Sequence, residues 1–144
     1  MDDADLRKYA GMMAAQLPGW SFEAAYIGLR AGFRCEYCGR PLLRSVEDYD
    51  AWQNDHVRPQ SRTDPTAAAD YANNWALACK TCNFIKRHTT PNGAEGVVER
   101  DALVKLYREV ITERRGRKQS KLHDIRQWLA DSGLDDGVTE RGAA

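Results

Sequence analysis

The chain has 144 residues, 42% of them hydrophobic and 29% charged, with 21 basic and 21 acidic side chains. That size suits one domain with helical additions, and that balance excludes disorder over most of the length. The net charge of zero does not exclude a polyanionic partner, because charge is segregated: residues 1–29 carry two positive and four negative side chains and residues 127–144 one and four, whereas residues 30–90 carry nine against seven and residues 99–126 nine against five.

The opening Met1-Asp2-Asp3-Ala4-Asp5 is acidic where a secretory signal is basic. No apolar run reaches the roughly 20 residues of a membrane span. A cytoplasmic chain without a membrane partner is therefore expected. Leu6, Tyr9, Met13 and Leu17 recur at helical spacing, with Asp5 as cap and Pro18-Gly19 as stop. Ser21 can cap a second helix with Phe22, Ala25, Tyr26 and Leu29 on one face, ended by Gly32. Residues 33–43 read as extended, with a tight turn at Cys38-Gly39-Arg40-Pro41, and residues 45–51 as a helical turn. Residues 52–57 read as a short strand that Pro59 terminates.

Residues 60–73 lack a period and read as a long loop with a helical turn near 67–71. Residues 74–78 suit a returning strand and residues 80–88 a helix, broken by Pro91-Asn92-Gly93. Leu103, Leu106, Tyr107, Val110 and Ile111 make the stripe of a longer helix ending near Gly116, and Leu122, Ile125 and Leu129 mark another closed by Gly133. The expected organisation is a helical extension at 1–32, a core at 33–92, helices packing on it at 93–134 and a flexible tail at 135–144.

Cys35-Glu36-Tyr37-Cys38 and Cys79-Lys80-Thr81-Cys82 are two CxxC pairs. In a reducing compartment such pairs point to metal before disulfides, and four soft thiolates favour a closed, structural Zn²⁺ site. Thioredoxin-like redox pairs, buried free thiols and an iron–sulfur cluster are the other chemistries this spacing admits. Between and after the pairs, Asp55-His56 lies on the first strand, Asn74 opens the second, and Asn83 follows the last cysteine on the helix. A hairpin followed by a helix would bring these four together.

The ordered set Cys35-Glu36-Tyr37-Cys38-Gly39, Asp55-His56-Val57-Arg58-Pro59, Asn74-Trp75-Ala76-Leu77-Ala78-Cys79 and Cys82-Asn83 with Lys86 resembles the HNH endonuclease family, in the subtype with a four-cysteine zinc site. The resemblance covers residues 34–86. It implies an α+β fold: a small ββα-metal core with a structural zinc at Cys35, Cys38, Cys79 and Cys82, flanked by N- and C-terminal helices. It also implies an endonuclease in which His56 is the general base, Asp55 and Asn83 hold a catalytic Mg²⁺ or Mn²⁺, and Asn74 fixes the loop that aims the histidine. The residue types suit that chemistry. A neutral imidazole accepts a proton from water near pH 7, and a hard cation on oxygen ligands absorbs charge on the phosphate. Two departures are visible: Asn83 stands where many members carry His, and Ser61-Arg62-Thr63-Asp64-Pro65 replaces a frequent Gly-Gly.

The expected partner is nucleic acid, double-stranded DNA first. Arg58, Arg62, Lys86 and Arg87 flank the site in sequence and are expected to grip phosphates, with His88 as a further phosphate contact or cap. The run Arg114-Arg115-Gly116-Arg117-Lys118 is a stronger basic patch, or else a polar interhelical turn. The alternative function is a catalytically inactive, zinc-stabilised nucleic-acid-binding or scaffold module.

Overall fold

A computed structural model describes residues 1–87 and 89–134. The position of His88 and the proposed tail at 135–144 lie outside the described residues. Helix α1 spans Asp3–Gln16 and α2 spans Phe22–Arg30. The cap of α1 is Asp2 and not Asp5: its carboxylate accepts the Asp5 N–H at 2.9 Å, which places Asp3 and Asp5 in the first turn, beside the positive end of the helix dipole. Ser21 caps α2 as expected, accepting from the Ala24 N–H at 3.1 Å.

A one-turn helix α3, Val46–Asp50, leads into strand β1, Trp52–His56. The segment expected to be loop holds a 3₁₀ turn at Gln60–Arg62 and two one-turn helices, α4 at Pro65–Ala68 and α5 at Tyr71–Asn74. Asp64 and Asp70 cap the latter two, which is why a Ser/Thr/Asp-rich stretch without hydrophobic period is ordered. Strand β2, Trp75–Cys79, returns antiparallel to β1 with Asp55 opposite Ala76 and His56 opposite Trp75. Helix α6, Lys80–Lys86, follows without a loop and ends earlier than expected, at Arg87, whose φ of 45° leaves the helical region.

The two helices expected after Gly96 are one, α7, Arg100–Asp131. Gly116 does not end it: a glycine inside a helix costs about 1 kcal/mol, and its Arg and Lys neighbours are good helix formers. The chain forms two units, Met1–Ile111 and Thr112 onward. In the first, Leu103, Val104, Tyr107 and Ile111 of α7 join Leu42, Val57, Leu77 and Ile85 in one core around the hairpin. A second cluster, with Leu6, Ala10, Ala25 and Ile27, joins α1 to α2, and Trp52 and Trp75 pack against it from the hairpin. Asp55 and His56 thus sit at the end of a two-stranded sheet braced by helices, with Asn74 closing α5 and Asn83 on α6. From Thr112, α7 belongs to the second unit, where Leu122, Ile125 and Trp128 are exposed.

Candidate active site and metal centre

Local chemistry builds the cysteine cluster. Gly39, at φ 78°, makes the turn that returns the Arg40 carbonyl to the Cys35 N–H at 2.9 Å, and the Gly39 N–H to the Cys35 carbonyl at 2.8 Å. Arg40 in turn donates to Asp48 at 2.8 Å, and Arg44 donates to the same carboxylate at 3.2 Å. The second pair forms at the β2–α6 junction, where Cys79 caps α6 and its sulfur accepts the Cys82 N–H at 3.4 Å. Glu36 links the halves: its N–H donates to the Leu77 carbonyl and its carboxylate accepts from the Leu77 N–H at 2.7 Å.

All four sulfurs lie within 4.8 Å of one another, and Cys38 Sγ is 3.8 Å from Cys79 Sγ. A disulfide would need about 2.05 Å. A tetrahedron with Zn–S bonds of about 2.3 Å has edges of about 3.8 Å. The donor set therefore fits a zinc ion, bound by four thiolates with no ligand position left for water, in a structural role.

Asp55 and His56 occupy the last two positions of β1. Strand alternation turns Asp55 into the core and leaves His56 half-buried, its ring edge-on to Trp75 with centroids 5.4 Å apart. Asn83, one residue beyond Cys82 on α6, is half-buried. Asp55, His56 and Asn83 line one open cleft of about 360 Å³, together with Asn54, Lys86 and Arg87. Asn74 stands behind it, fully buried: its Oδ1 accepts the Arg58 N–H at 2.8 Å, and its Nδ2 donates to the Arg58 and Ala68 carbonyls at 3.2 Å each. This pins the backbone two residues after His56.

The segment that carries the cleft and the cysteine cluster, residues 35–89, matches the family model described as HNH endonuclease. This segment is an HNH domain. The matched span contains both cysteine pairs and every residue of the cleft named above. No curated protein and no solved structure matches the chain. The HNH domain associates the protein with nuclease or other nucleic-acid-related function.

Electrostatics in the HNH cleft centre on a buried ion pair that the sequence did not reveal. Lys86, only 1% exposed, places its ammonium 3.0–3.1 Å from both carboxylate oxygens of Asp55 and 2.8 Å from the His56 carbonyl, with the ring of Tyr107 from α7 4.4 Å away. Tyr37, between the first two cysteines, donates its hydroxyl to Asp55 Oδ2. Burial raises the Asp55 pKa, opposed mainly by Lys86 and Tyr37, and burial lowers the Lys86 pKa, opposed by Asp55. Burial also holds the His56 pKa below its ordinary value, with Lys86 in the same direction and Asp55 opposing. The imidazole is therefore neutral at physiological pH.

Two expected phosphate contacts are internal ties instead. Lys86 is committed to Asp55. Arg58 donates to the carbonyls of Asn73, Val97 and Val98, fastening the segment before α7. Arg62 is exposed and donates to Thr90 at 3.0 Å, and Arg87 is exposed with its guanidinium over the Phe84 ring. Arg114, Arg115, Arg117 and Lys118 lie on α7 in the second unit, so the basic run is helix and not a turn; Arg117 pairs with Glu113 at 2.9 Å. Among the described residues, no helix is long and apolar enough to cross a membrane.

Proposed function

We propose that the protein is a metal-dependent endonuclease that hydrolyses phosphodiester bonds in DNA, with His56 as general base and a divalent ion held by Asp55 and Asn83. The observation that carries this reading is the convergence of a carboxylate, a neutral imidazole and an amide oxygen in one open cleft of an HNH domain. Asp55 and Asn83 offer the hard oxygen donors that Mg²⁺ or Mn²⁺ prefers. A carboxylate has about four acceptor sites, of which Tyr37 and Lys86 take up three contacts, so acceptor capacity remains for an ion. The ion would supply charge neutralisation at the phosphate and the leaving oxygen.

His56 takes the proton from the attacking water, which its neutral state permits at physiological pH. Asn74 keeps the strand end in place, and Trp75 limits where the imidazole can turn. Arg62, Arg87 and the α7 run Arg114, Arg115, Arg117 and Lys118 supply positive charge for the DNA backbone. Four reduced thiols gathered for zinc suit a cytoplasmic setting.

One observation favours the second reading, an inactive nucleic-acid-binding or scaffold module: both oxygens of Asp55 are already engaged by Lys86 and Tyr37. Incubating the zinc-loaded protein with plasmid DNA and Mg²⁺ or Mn²⁺ separates the two. Wild type should nick or linearise the plasmid, and His56→Ala should cut at least about 100-fold more slowly, the usual scale of lost general-base catalysis, while still holding one zinc per chain. Equal cleavage by both proteins, or none by either, would reject the nuclease assignment.

A further inference from the structure

Asp55 is the carboxylate of the cleft, and its two oxygens differ in their partners. Oδ1 accepts from the Lys86 ammonium at 3.1 Å. Oδ2 meets the same ammonium at 3.0 Å and also accepts from the Tyr37 hydroxyl. Each carboxylate oxygen has about two acceptor sites. Among the described residues, protein donors therefore fill Oδ2, and the acceptor site that remains is on Oδ1.

Both donors are buried, and both are anchored beyond Asp55. The Lys86 ammonium is also bonded to the His56 carbonyl. Tyr37 stands between Cys35 and Cys38, in the turn closed by the Gly39 N–H on the Cys35 carbonyl and tied to β2 by the Glu36 N–H on the Leu77 carbonyl. Its hydroxyl links that turn to the end of β1, 18 residues on. A phenylalanine would fill the same space and leave Oδ2 with an open acceptor site. The number of open sites matters to a divalent ion. Mg²⁺ and Mn²⁺ favour a small octahedron, and the two oxygens of one carboxylate are too close together to span its edge. Ca²⁺ is larger, takes about six to eight oxygens in flexible geometry and readily accepts both oxygens of a carboxylate.

We infer that Tyr37 is a positioning residue for the divalent ion of the cleft: by closing Oδ2, its hydroxyl leaves Asp55 a single-oxygen ligand through Oδ1, which favours a small octahedral ion such as Mg²⁺ or Mn²⁺ over Ca²⁺. This rests on the reading of Asp55 as an ion ligand, and it assigns the choice of ion to a residue of the cysteine turn. Tyr37 acts through Asp55 and takes no part in the proton transfer.

The test is ion binding, measured apart from cleavage. The zinc-loaded full chain, without DNA, is titrated with Mn²⁺ while the free ion is followed by its electron paramagnetic resonance signal, and Ca²⁺ is then added as competitor. Wild type should bind Mn²⁺ more tightly than Ca²⁺, and Asp55→Asn should lose most of the Mn²⁺ binding. Tyr37→Phe should keep one zinc per chain and weaken Mn²⁺ binding by about 10- to 100-fold, the usual effect of removing a hydrogen-bond partner from a metal-binding carboxylate. Ca²⁺ binding should weaken less or become tighter, so that the preference moves toward Ca²⁺. A merely structural role for the hydroxyl would weaken both ions alike and leave their ratio unchanged. Equal losses for the two ions, unchanged Mn²⁺ binding, a preference moved toward Mn²⁺, or loss of zinc from Tyr37→Phe would overturn the inference. Mn²⁺ binding that is absent from wild type, or undisturbed in Asp55→Asn, would overturn it as well. In each of those cases plasmid cleavage by wild type but not by His56→Ala would leave the nuclease reading standing, so the two failures are distinguishable.

Discussion

Asn74 meets three backbone groups with one amide, the Arg58 N–H and the carbonyls of Arg58 and Ala68. No other residue type of that length both accepts and donates in this way. Asn74→Ala takes this partner from the Arg58 N–H and carbonyl, while the Ala68 carbonyl keeps the Trp75 indole N–H at 3.0 Å; the cost of about 1–3 kcal/mol should register in urea denaturation. Because His56 lies two residues from the pinned backbone, the same variant should lower kcat on plasmid DNA more than it raises KM. Asp48 is the corresponding anchor of the cysteine turn. The Arg40 hydrogen bond, helped by Ser45 and Arg44, holds its carboxyl below the ordinary aspartate range. A depressed carboxylate pKa contributes stability above the unfolded-state value near 3.9 and loses it as pH falls through the folded value. Asp48→Asn should therefore melt lower than wild type at neutral pH, and the two melting temperatures should converge as the pH drops below about 4.

At the scale of elements, the same substitution has opposite signs in two helices. A Cβ built on Gly28 of α2 would lie 2.7 Å from Trp52 and 2.8 Å from Phe33, two half-buried rings packed against each other. Gly28→Ala gains about 1 kcal/mol of helix propensity but incurs about 1–3 kcal/mol of overpacking, so a net loss is expected in chemical denaturation. Gly116 of α7 has nothing within 4 Å of that position. Gly116→Ala should be tolerated and raise the helical signal in circular dichroism. The strands, the α6 start and the cap of α2 were legible because turn chemistry, Ser21 and the CxxC spacing are local signals. The continuity of α7 was not. Glycine weakens a helix without forbidding it, and the stripe through Leu103, Tyr107 and Ile111 marked an apolar helix face without showing that the same helix runs on past Gly116.

For the whole molecule, the division at Ile111 makes a definite prediction. A chain ending there keeps the cysteine cluster, the cleft and both core clusters, so it should fold and bind one zinc per chain. It lacks Arg114, Arg115, Arg117 and Lys118, so the slope of log affinity against log salt for DNA should fall by about 1 for each phosphate contact removed. An unchanged slope would place the DNA-binding charge entirely in the first unit. Cys79 serves three parts of that unit at once, as the last residue of β2, the cap of α6 and a ligand, which is why its loss should be structural and not merely local.

The sequence by itself determined the zinc-type cluster and the order of Asp55, His56, Asn74 and Asn83, because cysteine pairs three positions apart and a histidine beside an aspartate are short-range facts of the chain. Tertiary structure alone decided what surrounds them. Lys86 reads in sequence like any exposed cation on a short helix; the fold buries it against Asp55, 31 residues away, and Arg58 is likewise drawn inward to carbonyls 39 and 40 residues away. Tyr37 becomes an Asp55 partner because the cysteine turn folds over β1. Charge is written in the sequence, but whether it faces water or a partner depends on contacts between distant segments, and that decides whether a cation stays inside or meets a phosphate.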